Sequence, residues 1–354
     1  MKVNKLEIQN FRNITNLNLE FDPEINVICG ENAQGKTNII EALWLFSGAK
    51  SFRNSKDNEF IKFEQQKAKI YTEFEMLGVK NQAQIIFDDK KTAFLNEKKL
   101  PSSSTLAGKY TAVVFSPLDL TLVTDGPDKR RRFLDTAIGQ LYPNYIEILR
   151  NYSRAVMQRN KIIKDYRYDK TISIMLDVFE TEIVDMGNKI ISYRKKYIEI
   201  LNKYVSKIYN GISSGKENVE IFYISKNEEI LNIEKLITSR EIDMFTSTTS
   251  VGPHRDDIIF KINGISARNF GSQGQKRSIA LALKLAGAEV IKEISGEYPI
   301  CLLDDVMSEL DENRQNYILN HIRNWQSFIT CCDTSNFKNL MSGKVIKIKS
   351  GGVI

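Results

Sequence analysis

The chain opens on alternation. Val3, Leu6 and Ile8, then Leu17, Leu19 and Phe21, then Ile25, Val27 and Ile28 recur at strand spacing and predict three short strands. The period then changes. Ile39, Ile40, Leu43 and Trp44 fall on one helical face and predict a helix from Thr37 to about Phe46. Strand-like runs return across residues 69–120, among them Ile70–Phe74 and Val113–Phe115. From Asp128 to Asn210 the pattern is helical again, with Phe179, Ile183, Met186, Ile190, Tyr197, Leu201, Tyr204 and Ile208 tracing one apolar stripe. Strands resume near Glu220, and the last hundred residues alternate strand and helix. The pattern predicts an α/β head built from both chain ends, residues 1–120 with 245–354, and a mainly helical lobe inserted at 121–244. About eighty helical residues that must turn back on themselves read as a compact lobe, not a projecting coiled coil.

Three segments interrupt this pattern with chemistry. Gly30-Glu31-Asn32-Ala33-Gln34-Gly35-Lys36-Thr37 satisfies G-x-x-x-x-G-K-[ST], follows a predicted strand and opens a helix. Glycines there let successive N–H groups face one anion, and the helix N-terminus adds partial positive charge. Lys36 is placed to reach the β- and γ-phosphates of a nucleotide, and the Thr37 hydroxyl to ligate Mg²⁺. Ile300-Cys301-Leu302-Leu303-Asp304-Asp305 reads as a strand buried on both faces that ends in two carboxylates. Asp304 is the candidate metal acid, and Asp305 the group that orients the attacking water. Phe270-Gly271-Ser272-Gln273-Gly274-Gln275 precedes an apolar helix from Ser278 to Ile291 and offers a second helix-terminal anion site. One nucleotide does not need two such cradles in one chain, but two chains can sandwich it between them.

Composition narrows the class. Of 354 residues 42% are hydrophobic and 27% charged, which excludes a disordered chain and fits a globular one. No uncharged apolar run approaches the roughly 20 residues of a membrane helix, and the N-terminus has no continuous apolar stretch, so a cytosolic protein with no membrane association is expected. Cys29, Cys301, Cys331 and Cys332 sit in apolar runs without metal-ligand spacing and are read as small buried hydrophobes. Two histidines leave little material for a His-based metal site or a Ser-His-Asp relay. The net charge of +6 permits a polyanionic partner without establishing one.

In this order, the motifs resemble the ABC-type ATPase heads of the SMC class and, within them, the RecF family. The resemblance runs nearly end to end. It includes Ile8-Gln9-Asn10-Phe11-Arg12-Asn13, the loop from Gly30 to Asn38, Phe115-Ser116-Pro117-Leu118-Asp119-Leu120, and Arg130-Arg131-Arg132-Phe133-Leu134-Asp135. It continues through Val251-Gly252-Pro253-His254-Arg255-Asp256-Asp257, Ser272–Gln275 and Leu302–Asp311. The resemblance implies ATP-dependent homodimerisation around two ATP molecules, slow DNA-stimulated hydrolysis that reopens the dimer, and binding to DNA at double-strand/single-strand junctions. It also implies RecO and RecR as partners in loading recombinase. It assigns Arg12 an approach to the nucleotide phosphates from the first hairpin, and Gly30, Glu31, Asn32, Ala33, Gln34, Gly35, Lys36, Thr37 and Asn38 to nucleotide binding. Ser272, Gln273, Gly274 and Gln275 become the signature acting in trans, and Ser308, Glu309, Leu310 and Asp311 the loop that crosses the dimer interface.

The chain departs from the wider ABC pattern in three places. Asp305 stands where a glutamate is usual, Thr330-Cys331-Cys332-Asp333 replaces the switch histidine, and Ser116 falls near the expected glutamine loop without a glutamine. These changes predict intact binding and slow turnover. Lys129, Arg130, Arg131 and Arg132 at a helix start are candidate DNA-phosphate contacts or interface elements, because cations there oppose the helix dipole unless an anion is near, and the resemblance implies that Arg131 and Arg132 partly serve the head itself. Arg194, Lys195 and Lys196 read as a solvated face. The His254–Asp257 run either lines the nucleotide interface or forms a salt-bridged turn. Two other ATPase classes fit less well. A transporter subunit is opposed by the roughly 235 residues between Thr37 and Ser272 and by the missing glutamine loop. A nuclease fusion has only about forty residues beyond the acidic strand in which to fit.

Overall fold

The computed structural model describes residues 1–166, 173–225, 230–332 and 343–354. The first strands are β1 (Lys2–Phe11), β2 (Ile14–Glu20) and β3 (Ile25–Cys29), followed by α1 (Lys36–Leu45). Next come β4 (Ala68–Met76), β5 (Val79–Phe87), β6 (Thr92–Leu95), β7 (Lys98–Lys99) and β8 (Ala112–Phe115). The helical stretch is α2 (Thr121–Thr124), α3 (Pro127–Leu141), α4 (Pro143–Tyr166) and α5 (Ser173–Ile212). Beyond it lie β9 (Val219–Ile224), α6 (Ile233–Thr246), β10 (Asp257–Ile262), β11 (Ile265–Ser266), α7 (Ala267–Phe270) and α8 (Gln273–Ser295). The chain finishes with β12 (Ile300–Leu303), α9 (Glu312–His321), β13 (Ser327–Cys331), β14 (Lys344–Lys349) and β15 (Gly352–Val353).

The two chain ends do build one sheet. Its order is β15-β14-β3-β13-β12-β8, so N-terminal β3 lies between C-terminal β13 and β14, and the five strands from β14 to β8 run parallel. Every residue of β3, β8, β12 and β13 is buried, the continuous apolar run expected of parallel strands covered on both faces. Alternate residues enter two cores. Val27, Leu303 and Ile329 face α5 and α8, whereas Ile28, Leu302 and Phe328 face α1 and a six-stranded antiparallel sheet ordered β2-β1-β4-β5-β6-β7. Helix α1 belongs to this second core, and Ile39, Ile40, Ala42, Leu43 and Leu45 are fully buried. At roughly 1.5–3 kcal/mol for each large side chain, that burial fixes α1 and with it the loop at its N-terminus.

The second lobe is helical as expected, with strands beside it. β9 pairs with β10, and β10 with β11, in a three-stranded antiparallel sheet that joins residues from within 121–244 to residues beyond it. Along α5, Ile183, Ile190, Tyr197, Leu201 and Ile208 are buried and Phe179, Met186 and Tyr204 partly so, which is the stripe read from the sequence. Arg159 on α4 is fully buried and donates to Glu180 on α5 at 3.0 Å and to Asp243 on α6 at 2.6 Å, so every charge in this cluster is paired. The solvated face predicted for Arg194–Lys196 holds only for the two lysines. Arg194 is 2% exposed, pairs with Asp135 on α3 at 2.8 Å and donates to the Pro253 carbonyl at 2.6 Å. Among the described residues no helix is long and apolar enough to cross a membrane.

Candidate functional site

The loop between β3 and α1 takes its shape from two glycines and one lysine. Gly35 caps α1 with φ +106°, a left-handed conformation that a side chain resists. At Gly30 a Cβ would sit 2.3 Å from the Ile348 carbonyl oxygen, so β14 packs too close for any other residue. Lys36 is 4% exposed and donates to the Gly30 carbonyl at 2.5 Å and to the Glu31 carbonyl at 3.1 Å, arching the loop over its own ammonium. Asn13, in the turn between β1 and β2, donates to the Ala33 carbonyl at 3.1 Å and accepts from Asn38 at 2.7 Å. The hairpin is thereby tied to the phosphate loop.

The acidic strand ends beside this loop. Thr37 Oγ1 donates to Asp304 Oδ1 at 2.9 Å, and Thr330 Oγ1, on the neighbouring strand β13, lies 3.2 Å from the same oxygen. Asp304 is pushed up to about 6, chiefly by burial and further by the charge of Asp305, while the Thr37 and Thr330 hydroxyls and Arg53 oppose the shift. Such a carboxylate, poor in compensating charge, favours a cation. Thr37 and Asp304 present hard oxygens to it, the donor set suited to Mg²⁺. Among the described residues no cluster of three or more His, Cys, Asp or Glu forms a metal cage, so a cation held here would need further oxygens from outside the chain. Asp305 follows with φ +54°, and its N–H donates to Thr330 Oγ1 at 2.8 Å. One buried threonine thus touches both acids.

The signature segment forms the first turn of α8, which begins at Gln273, ahead of the Ser278 start expected from the sequence. Ser272 caps α8: its hydroxyl accepts from the Gln275 N–H at 3.1 Å, and Gln275 Oε1 accepts from the Ser272 N–H at 2.7 Å, a capping box. Ser272 and Gln273 are exposed. No hydrogen bond among the described residues links this segment to the phosphate loop. Its bonds run instead to Glu217 from Gln275 at 2.7 Å and to the Ser308–Asp311 loop. Arg277 donates to the Glu309 carbonyl at 2.9 Å, and Arg314, which pairs with Asp311, donates to Ser278 at 3.0 Å. Ser308 Oγ donates to the Asp305 carbonyl at 2.9 Å, so this loop joins the acidic strand to the signature helix. The loop after β8 makes a second link, through the Lys284–Asp119 ion pair at 2.9 Å. Ser116 N–H donates to Asp119 there at 2.7 Å, where the wider pattern has a glutamine.

Other expectations fare differently. Arg12 donates to Glu41 on α1 at 2.9 Å, to Ser55 at 2.6 Å and to the Glu59 carbonyl, and among the described residues makes no bond to the phosphate loop. Arg130 does not offer a phosphate contact. It is 2% exposed and forks onto Asp257 at 2.7 and 3.0 Å, so its burial, not DNA, accounts for a cation at the start of α3. Arg131 bonds the Asp256 carbonyl and Asp128, and Arg132 bonds Asn54 and the Ser51 carbonyl. Lys129 is half-buried. The His254–Asp257 run carries the salt bridge of the second reading, from Asp257 to Arg130, at the end of a turn in which the Arg255 N–H donates to the Gly252 carbonyl at 2.9 Å. His254 lies between Tyr152 at 2.6 Å and the Thr249 carbonyl at 2.9 Å, and burial lowers it to about 4, so it is neutral at pH 7. Three cysteines are buried as expected, but Cys332 is exposed, because β13 ends at Cys331 and the chain emerges beside Lys36. Asp333 lies outside the described residues. Asn13 and Thr330, quoted from the sequence without a role, and Glu41 and Arg314, not singled out at all, prove to bond the elements of the candidate site.

Fold and site together define an ABC-type ATPase head. A P-loop lobe is closed on an acidic strand, and α8 presents a capped, exposed helix end. The family model described as RecF/RecN/SMC N terminal domain matches residues 2–353. A DNA replication and repair protein RecF of Clostridium perfringens (strain SM101 / Type A) is 39% identical over 362 residues, covering 100% of this chain and 99% of that protein. The protein of the same description from Clostridium tetani (strain Massachusetts / E88) is 38% identical over 368 residues, covering 100% of both. The solved structure of the recombination mediator protein RecF with ATP in the RecFOR pathway superposes with a TM-score of 0.92 at 35% identity, covering 100% of this chain and 97% of that one. A Pyrococcus furiosus Smc head, at 15% identity and a TM-score of 0.57, shares the fold. The chain belongs to the RecF family of DNA replication and repair proteins.

Proposed function

We propose that this chain is an ATP-operated, DNA-binding switch of recombinational repair, in which two copies close around two ATP molecules and slow hydrolysis reopens them. The carrying observation is the pair of incomplete half-sites. A phosphate loop is closed on Thr37 and Asp304, and an exposed Ser272-capped helix end is bonded away from it within its own chain. A partner copy supplies the missing half. Lys36 would release its loop carbonyls to meet the β- and γ-phosphates, and the loop N–H groups from Asn32 to Thr37 would cradle them. Mg²⁺, held by Thr37 and by Asp304 through water, would neutralise phosphate charge. Asp305 would orient the attacking water, with a reach one methylene shorter than glutamate, and Thr330 would hold both acids in register without itself donating to the γ-phosphate. The Ser308–Asp311 loop is bonded to Asp305 at one end and to the signature helix at the other, so it would report closure to the catalytic acid.

The family, and the RecFOR pathway in which its solved member is placed, support DNA with RecO and RecR as partners and recombinase loading as the output. With Arg130 buried and paired, Arg131 on Asp128 and the Asp256 carbonyl, and Arg132 on Asn54 and the Ser51 carbonyl, Lys129 is the candidate DNA contact in its run with no hydrogen bond or ion pair among the described residues. The test is light-scattering mass with and without ATP·Mg²⁺ and a gapped duplex. Doubling that requires nucleotide is expected, and a chain that stays single under every condition overturns the proposal.

A further inference from the structure

Between the two lobes lies a cavity of about 160 Å³ that the nucleotide site does not use. Its walls come from both sides. Trp44 of α1 and Val114 of β8 face Phe133 and Ala137 of α3 and Gly287 and Ile291 of α8. Space exists there because residue 287 has no side chain: a Cβ would stand 3.4 Å from the Tyr197 hydroxyl. The volume is close to that of a buried cavity of about 150 Å³ known to hold a single benzene ring.

Two polar features make this more than a packing defect. Tyr197 lines the cavity and is buried, yet its hydroxyl has no hydrogen-bond partner among the described residues. A buried hydroxyl left without a partner is destabilising. The second feature is charge. Lys50, Lys129, Arg132 and Lys284 line the cavity against a single acid, Asp119. Asp119 is taken by Lys284, and Arg132 is spent on Asn54 and the Ser51 carbonyl. Exposed Lys50 and half-buried Lys129 have no acidic partner among the described residues, and they mark the solvent end, as Tyr197 marks the deep one. We infer that this cavity is a binding site for a small single-ring aromatic acid, its carboxylate toward Lys50 and Lys129 and a second polar group, opposite on the ring, meeting the Tyr197 hydroxyl. Because α1 carries the phosphate loop and α8 the signature, an occupant sets the spacing of both helices at once.

Calorimetric titration of the full chain with 4-hydroxybenzoate, benzoate, 4-methylphenol and acetate tests this. 4-Hydroxybenzoate should saturate one site, 4-methylphenol should bind about fivefold more weakly for want of the carboxylate, and acetate should not bind. Tyr197→Phe should weaken 4-hydroxybenzoate about tenfold while leaving benzoate within about twofold. Gly287→Leu, which fills the cavity, should abolish binding of every aromatic probe while ATP binding, as the control for folding, persists. If Gly287→Leu does not fold, Ala137→Trp fills the cavity from the facing wall. Absence of a saturable site, binding that survives the filling substitution, or equal losses of both acids in Tyr197→Phe would each overturn the assignment.

Discussion

Thr330→Val isolates the role of one hydroxyl at the proposed catalytic centre. Valine has nearly the same shape, and residue 330 is 2% exposed, so the strand should keep its packing. What disappears is an oxygen that accepts from the Asp305 N–H at 2.8 Å and lies 3.2 Å from Asp304 Oδ1. A buried N–H left without a partner costs about 1–3 kcal/mol. Across 354 residues that lowers the melting temperature by about 1–4 °C, a modest loss for a folded domain. The catalytic effect should be larger. Asp305 sits at φ +54°, a conformation worth about 1–2 kcal/mol of strain that the Thr330 bond helps to hold. Released, its carboxylate shifts, and a displacement near 1 Å costs about a hundredfold in rate. Single-turnover ATP hydrolysis should therefore fall about 10- to 100-fold, with nucleotide affinity nearly unchanged because the Lys36 contacts are untouched. Thr330→Ser keeps the oxygen and should restore the rate. A valine variant that hydrolyses ATP at the parent rate, or a serine variant as slow as valine, would refute the reasoning.

Other substitutions test other links in the argument. Ser272→Arg should leave ATP binding by single chains intact but abolish dimerisation and hydrolysis, read by light scattering and phosphate release; parent-rate hydrolysis would remove the sandwich. The Asp304 carboxyl, pushed up to about 6, must be ionised to hold a cation, so Mg²⁺-dependent ATP affinity should fall about tenfold per pH unit below 6; a flat profile from pH 5 to 7 would contradict this. The same shift has a sign for stability. The folded protein holds this proton more tightly than the unfolded chain does, so the metal-free protein keeps that contribution below about pH 4 and loses it as pH rises through 6. Asp304→Asn should accordingly stabilise the metal-free protein at pH 8 by about 3 kcal/mol in a denaturant titration. Arg130→Ala strands Asp257 and the Leu122 and Asp125 carbonyls, and should cost about 2–4 kcal/mol of stability while DNA affinity of the folded variant stays within about twofold. A tenfold loss of DNA affinity would restore Arg130 as a phosphate contact.

Contiguity explains which parts of the site the sequence makes legible. The phosphate loop is a single run whose glycines and lysine act on their own neighbours, and the Ser272–Gln275 capping box spans one helical turn. Both need only local geometry. The acidic strand is legible for a similar reason, since four apolar residues before two carboxylates already say that the strand is buried and its end is not. Contacts that cross the fold carry no such signal. Asn13 reaches Ala33 because β1 and β2 fold back over the loop, and Thr330 meets Asp304 and Asp305 because β13 lies beside β12, pairings that chain order does not reveal. The two misread arginines are a different case, because their signal was present. Arg194 follows Ile190 by four residues and precedes Tyr197 by three, which puts it on the buried stripe of α5. Arg130 stands four before Leu134 and eight before Ile138, on the buried face of α3. Reading each as part of a basic run gave the charge more weight than the period. A charged residue in phase with an apolar stripe is buried and must be paired, so its phase predicts an acidic partner before the partner can be named. Asp135 and Asp257 are those partners, 59 and 127 residues away.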